Sequence, residues 1–105
     1  MAKLIALYRK PEDVQAFDRA YFEIHIPLVR KIPGLQRVQI SRVTGAPRGE
    51  PELYLITEMY FADGAAMDQA MSSPENIEAG KTLMRFARGL VSFVYAEDVS
   101  PDEVA

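Results

Sequence analysis

Tyr21 and His25 stand four residues apart in the run YFEIHIPLVRKIPGL, residues 21 to 35, and His25 is the single histidine of the chain. That spacing is one helical turn, so a phenol and an imidazole share a helix face. An imidazole of ordinary pKa, about 6.5, exchanges a proton close to neutral pH, which makes His25 a candidate general acid or base. Tyr21 is the matching candidate to donate a hydrogen bond to a developing oxyanion. Pro27 lacks the backbone donor that the Glu23 carbonyl would have used, so the helix is expected to bend there and tip a half-buried His25 toward the end of the sheet. The competing reading is a structural histidine, satisfied by a neighbouring backbone group or carboxylate.

Glu58 is the third chemical candidate. In LITEMYF it is one acid inside an apolar strand, on the face that alternation assigns to Tyr54, Ile56 and Tyr60. If that face lines a cavity, Glu58 orients His25 or binds a substrate hydroxyl; otherwise it is an edge or dimer-interface carboxylate paired with an arginine. Candidates to hold a flat ring come from the aromatic residues of the predicted strands, Tyr8, Tyr54, Tyr60 and Tyr95, although such residues also build cores and interfaces. Between Ile24 and Gly49 lie Arg30, Lys31, Arg37, Arg42 and Arg48 with no acid among them. This stretch reads either as a rim that draws in an anionic ligand, with Arg37 contacting it, or as protection of a sheet edge.

Composition excludes other chemistries. With no cysteine and one histidine, the chain cannot build disulfides, thiolate nucleophiles, sulfur-based zinc sites or a multi-histidine metal site on its own. No metal or cofactor is expected, and haem fits poorly because His25 would have to be its axial ligand. The net charge of −3 supplies no positive field for nucleic acid or an anionic membrane. The opening MAKLIALYRK has too short an apolar run for a signal peptide or a membrane span, so a cytoplasmic protein is expected. TGAPRG has neither the spacing nor the strand-to-helix context of a phosphate loop.

The elements that must position these residues follow from periodicity. KLIALYR is a strand, and PEDV places a proline at a first helical position with two acids in the first turn. Val14, Phe17, Tyr21, Ile24 and Leu28 then mark one apolar stripe on a helix of about five turns. IPGL ends that helix, with Gly34 suited to a left-handed turn. LQRVQISRV and ELYLITEMYF form a hairpin around a long loop. Asp63 is an N-cap, Ser73-Pro74-Glu75 starts a further helix that Gly89 ends, LVSFVYAEDV is the last strand, and the acidic SPDEVA tail is expected to fray. The 105 residues thus form one domain, 1–105, of α+β class. The order is βαββαβ with the second helix broken near residues 72 to 74, the ferredoxin-like pattern of a four-stranded antiparallel sheet with helices on one face. Strands one and three are apolar on both faces, so the uncovered face calls for a second copy of the chain or a ligand.

FEIHIPLVRKIPGL together with ELYLITEMYFADGAAMDQAMSSPE resembles the EthD family of the dimeric α+β barrel group. The resemblance is carried by His25, Pro27, Leu28, Pro33, Gly34 and Leu35 and by the step from Glu58 to Phe61. It implies a ferredoxin-like protomer whose open sheet face packs on a second protomer. It also implies a small-molecule enzyme of cofactor-free acid-base or oxidative chemistry on an aromatic or enolisable compound, whether isomerisation, dehydration, decarboxylation or oxygenation. The alternative is a non-catalytic dimeric accessory protein that binds a hydrophobic metabolite. An enzyme requires imidazole and carboxylate to converge on one solvent-connected cavity; a structural pair would be sealed away.

Overall fold

Alternation of apolar residues in the first strand is resolved by the sheet it joins. In the computed structural model, which describes residues 1–103, β1 (Ala2–Arg9) runs antiparallel between β3 (Leu53–Phe61) and β4 (Val91–Glu97), and β2 (Arg37–Arg42) completes the order β2-β3-β1-β4. Register puts Leu4 opposite Met59 and Tyr95, and Ile5 opposite Glu58 and Val94. Ala2, Leu4, Ala6 and Tyr8 therefore face the helices with Leu55, Thr57, Met59 and Phe61, and all are buried. Ile5, Leu7, Ile56 and Val94 face the other way, where none of the described elements covers them. The protein is a ferredoxin-like α+β slab of 40 × 38 × 19 Å, helices on one face and β2 and β4 at its edges.

The helix layer starts later than Pro11. Asp13 is the N-cap, its carboxylate accepting from the Ala16 amide at 3.0 Å, and α1 begins at Val14 (Val14–Ala20). A capping side chain outweighs the preference of proline for a first helical position, and Pro11 is left in the connection. Tyr21–His25 then forms a π-helical turn before α2 (Ile26–Val29). The amide of Ile26 reaches back five residues to the Tyr21 carbonyl, while Pro27 has no amide to offer Glu23.

This turn corrects the expected stripe. Ile24 is 53% exposed and Leu28 only partly covered, whereas Phe17, Tyr21, His25 and Val29 are buried at every fourth position. The wider turn takes up one extra residue, so the inward face moves from Ile24 and Leu28 to His25 and Val29.

Gly34 leaves the helix layer with φ of 81°, the left-handed conformation expected of it. Asp63 caps α3 (Gly64–Met71) and Ser73 caps α4 (Pro74–Ala87), accepting from the amides of Ala66 and Asn76. The break in the second helical segment thus falls where it was predicted. Pro101–Glu103 adds one 3₁₀ turn, and the end of the tail expected to fray, residues 104 and 105, lies outside the described residues.

Candidate functional site

His25 lies deeper than its spacing predicts. It is 6% exposed, with its ring 5.4 Å from that of Tyr21 and 6.4 Å from that of Phe86 on α4. Among the described residues Nδ1 has no hydrogen-bond partner. Burial lowers the imidazole pKa to about 4, which the nearby Ala79 backbone offsets only in part. His25 is therefore a neutral base at physiological pH, a correction to the half-buried group of ordinary pKa expected from the sequence.

Tyr21 belongs to the same cluster. Its hydroxyl is hydrogen-bonded to that of Thr57 on β3, and its ring stacks on Phe17 at 5.6 Å and meets Tyr8 edge-on at 5.2 Å. Both Tyr8 and Tyr21 are fully buried, and burial pushes both phenols above their ordinary pKa. These hydroxyls serve as hydrogen-bonding groups rather than as phenolates.

Glu58 takes no part in this cluster. It lies on the open face of the sheet, where Lys3 Nζ approaches its carboxylate at 3.0 Å and the Tyr60 hydroxyl donates to it at 3.2 Å. A side chain on the opposite face cannot orient His25 within one chain, and its partner is a lysine rather than the expected arginine. Arg37 lies over the Tyr60 ring at 4.2 Å, so this candidate pair forms a cation–π contact at the rim of the open face. Tyr54 departs from its predicted face. Beside the register shift at Tyr8 and Arg9, it packs edge-on against Phe17 and donates to Asp18 at 2.7 Å, and Arg42 binds both Asp18 and the Tyr54 hydroxyl.

Tyr95 lines a different feature. Between α4 and the β1–β4 side of the sheet lies a cavity of about 620 Å³, bounded by Leu4, Met71, Met84, Phe93 and Tyr95 with Asn76, Gly80, Lys81 and Arg88. Asn76, Gly80 and Met84 follow one another at intervals of four, forming one row along α4. Phe86, whose ring lies beside that of His25, is two positions beyond Met84 and so on a different face of that helix. The cavity lining and the His25 cluster thus share no residue. Sequence reasoning missed the row, although a glycine in mid-helix was its available signal. Among the described residues there is no group of three or more metal-ligating side chains, and no helix long and apolar enough to cross a membrane.

Comparison with known proteins gives a consistent answer. The family model for the EthD domain matches residues 9–88. An EthD family protein from Bacillus halodurans has a crystal structure that superposes with a TM-score of 0.91 at 47% identity, covering 94% of this chain and 99% of that one. An uncharacterised 11.0 kDa protein of Rhodococcus erythropolis, from the thcB-thcC intergenic region, is 31% identical over 93% of this chain and 95% of its own length. A dimeric ferredoxin-like protein of unknown function from Jannaschia, at 21% identity and a TM-score of 0.67, covers 93% of this chain and 100% of that one and shares the fold.

Proposed function

The chain belongs to the EthD family, and from that premise we propose that it acts as a homodimer that takes up a small hydrophobic molecule in the cavity beside α4. The observation that carries this reading is the cavity itself, about 620 Å³ with walls of leucine, methionine and aromatic side chains and a few polar groups at its margin. That size and lining suit a drug-sized organic ligand. Tyr95 contacts the ligand in this reading. Tyr8, Tyr54 and Tyr60 support the fold around it, and Arg37 belongs to the dimer face. The second copy packs on Ile5, Leu7, Ile56 and Val94, an apolar patch that an isolated protomer would leave in water. The Jannaschia relative, dimeric on the same fold, supports that assembly.

Gly80 supplies the test. A Cβ built there meets no atom within 4 Å, so a side chain would project into free space. Gly80→Leu should fold, since leucine is a better helix former than glycine, and should fill part of the cavity. A thermal-shift screen with flat aromatic acids, quinols and polyketide-like compounds should raise the melting temperature of the wild type and leave the plugged variant unmoved. Equal shifts in both proteins would place binding elsewhere and end this reading.

A second reading, cofactor-free acid-base turnover, is favoured by the unpartnered Nδ1 of His25. A buried free base inside a π turn is the kind of feature that functional sites retain. In that reading His25 accepts a proton and Tyr21 donates to the oxyanion, with Glu58 excluded on geometric grounds. It ranks second because His25 and its ring neighbours lie outside the cavity lining. Mass analysis of the screened compounds after incubation tests it: a product lost in His25→Gln supports turnover, and unchanged compounds rule it out for those tried.

A further inference from the structure

Resting on the ligand-binding reading of the cavity, we infer that its ligand is an amphipathic anion: a flat apolar body with one carboxylate, held by Lys81 and Arg88. Those two cations are the charged residues of the lining, which contains no aspartate or glutamate. Neither takes part in an ion pair among the described residues, in contrast to Lys3 and Arg42, which are both engaged. Both are exposed at the margin, while Leu4, at 7% exposure, lies on the floor.

Their placement gives the cavity a polarity. Lys81 lies on α4 and Arg88 caps its C-terminal end, so both stand at the cavity margin, where two long side chains can close on a single carboxylate. An ammonium and a guanidinium with no competing acid favour an anion, and the guanidinium can grip both carboxylate oxygens.

Gly80 points the same way. Glycine in mid-helix is less favourable than alanine, so its presence at this position calls for a reason. No close backbone approach accounts for it, since nothing lies within 4 Å of a Cβ placed there. What the missing side chain leaves is open space on the cavity wall beside Lys81, with Met84, Phe93 and Tyr95 among the residues around it. Met71 and Met84 can adapt to the outline of a bound ring.

The test uses the full chain and two probes of the same shape, the anion 2-naphthoate and the neutral 2-naphthamide, titrated by calorimetry at low and moderate salt. The wild type should bind naphthoate at least tenfold more tightly than the amide, and added salt should narrow the gap. Lys81→Met and Arg88→Met should each weaken naphthoate severalfold and leave the amide unchanged. Equal affinity for the two probes, or naphthoate binding indifferent to both substitutions, would overturn the charge assignment while leaving the cavity reading intact. If neither probe binds the wild type, or both bind Gly80→Leu as well as the wild type, the cavity reading falls and the inference with it.

Discussion

His25 and Glu58 lie on opposite faces of the sheet, one sealed among Tyr21 and Phe86, the other paired with Lys3 on the uncovered side. Two groups whose chemistry invites a catalytic pair are thereby assigned separate tasks. His25→Gln and Glu58→Gln should consequently act independently. Their effects on unfolding free energy, measured by urea denaturation, should sum within about 0.5 kcal/mol in the double variant. Strong non-additivity would indicate a coupling that the fold of one protomer does not provide.

Acid should single out His25. The unfolded chain takes up its proton near a pKa of about 6.5, whereas the folded protein holds the ring neutral to about 4. Between those values the unfolded state binds more protons, so stability falls as pH is lowered through the window. The loss attributable to this group should reach about 3 kcal/mol below pH 4. Comparing His25→Gln with the wild type isolates that loss from carboxylate titrations, and parallel stability curves for the two proteins would refute it.

Tyr21→Phe should destabilise the fold by about 1 to 3 kcal/mol, because it strands the buried Thr57 hydroxyl. Thr57→Val added to it should cost less than the two single substitutions combined, since no orphaned hydroxyl then remains on β3. Equilibrium unfolding of the three variants checks this.

Gly34→Val should cost roughly 1 to 2 kcal/mol. The strain is in the backbone, at φ of 81°, since the nearest atoms to an added Cβ lie at 3.9 Å. An unchanged melting temperature would contradict it.

Light scattering at micromolar concentration should give twice the 11.8 kDa chain mass for the wild type. Ile56→Lys, which places a charge on the uncovered face, should shift the protein toward the monomer. A wild-type monomer would defeat the proposed assembly.

Capping and turn residues made most of the fold legible in the sequence. Asp63, Ser73, Gly34 and Gly89 declared helix ends by local chemistry, and alternation in β1 and β3 declared a sheet with two apolar faces. The π turn was not legible, because a period of 3.6 residues extrapolates through it without a sign of the added residue. Its consequence was a displacement of the buried stripe by one position, which carried His25 from the flank into the core. Pro27 was the available clue, read as a bend rather than as a wider turn. The placement of Tyr54 against α1 was hidden for a similar reason, since the register shift at Tyr8 and Arg9 breaks the alternation that assigned it. The cavity escaped because its lining is assembled from β1, α3, α4 and β4, and no local pattern joins them.

The 19 Å thickness of the slab bears on how much of this molecule meets water. A monomeric globule of 11.8 kDa exposes roughly 5,900 Å². This chain exposes 6955 Å². The excess, on the order of 1,000 Å², is close to the roughly 800 Å² that one partner gives up in an interface of standard size. In surface-to-mass terms the protomer resembles half of a globule, and a variant that blocks pairing should carry that excess as added solubility demand, appearing first as aggregation at concentrations where the wild type stays clear.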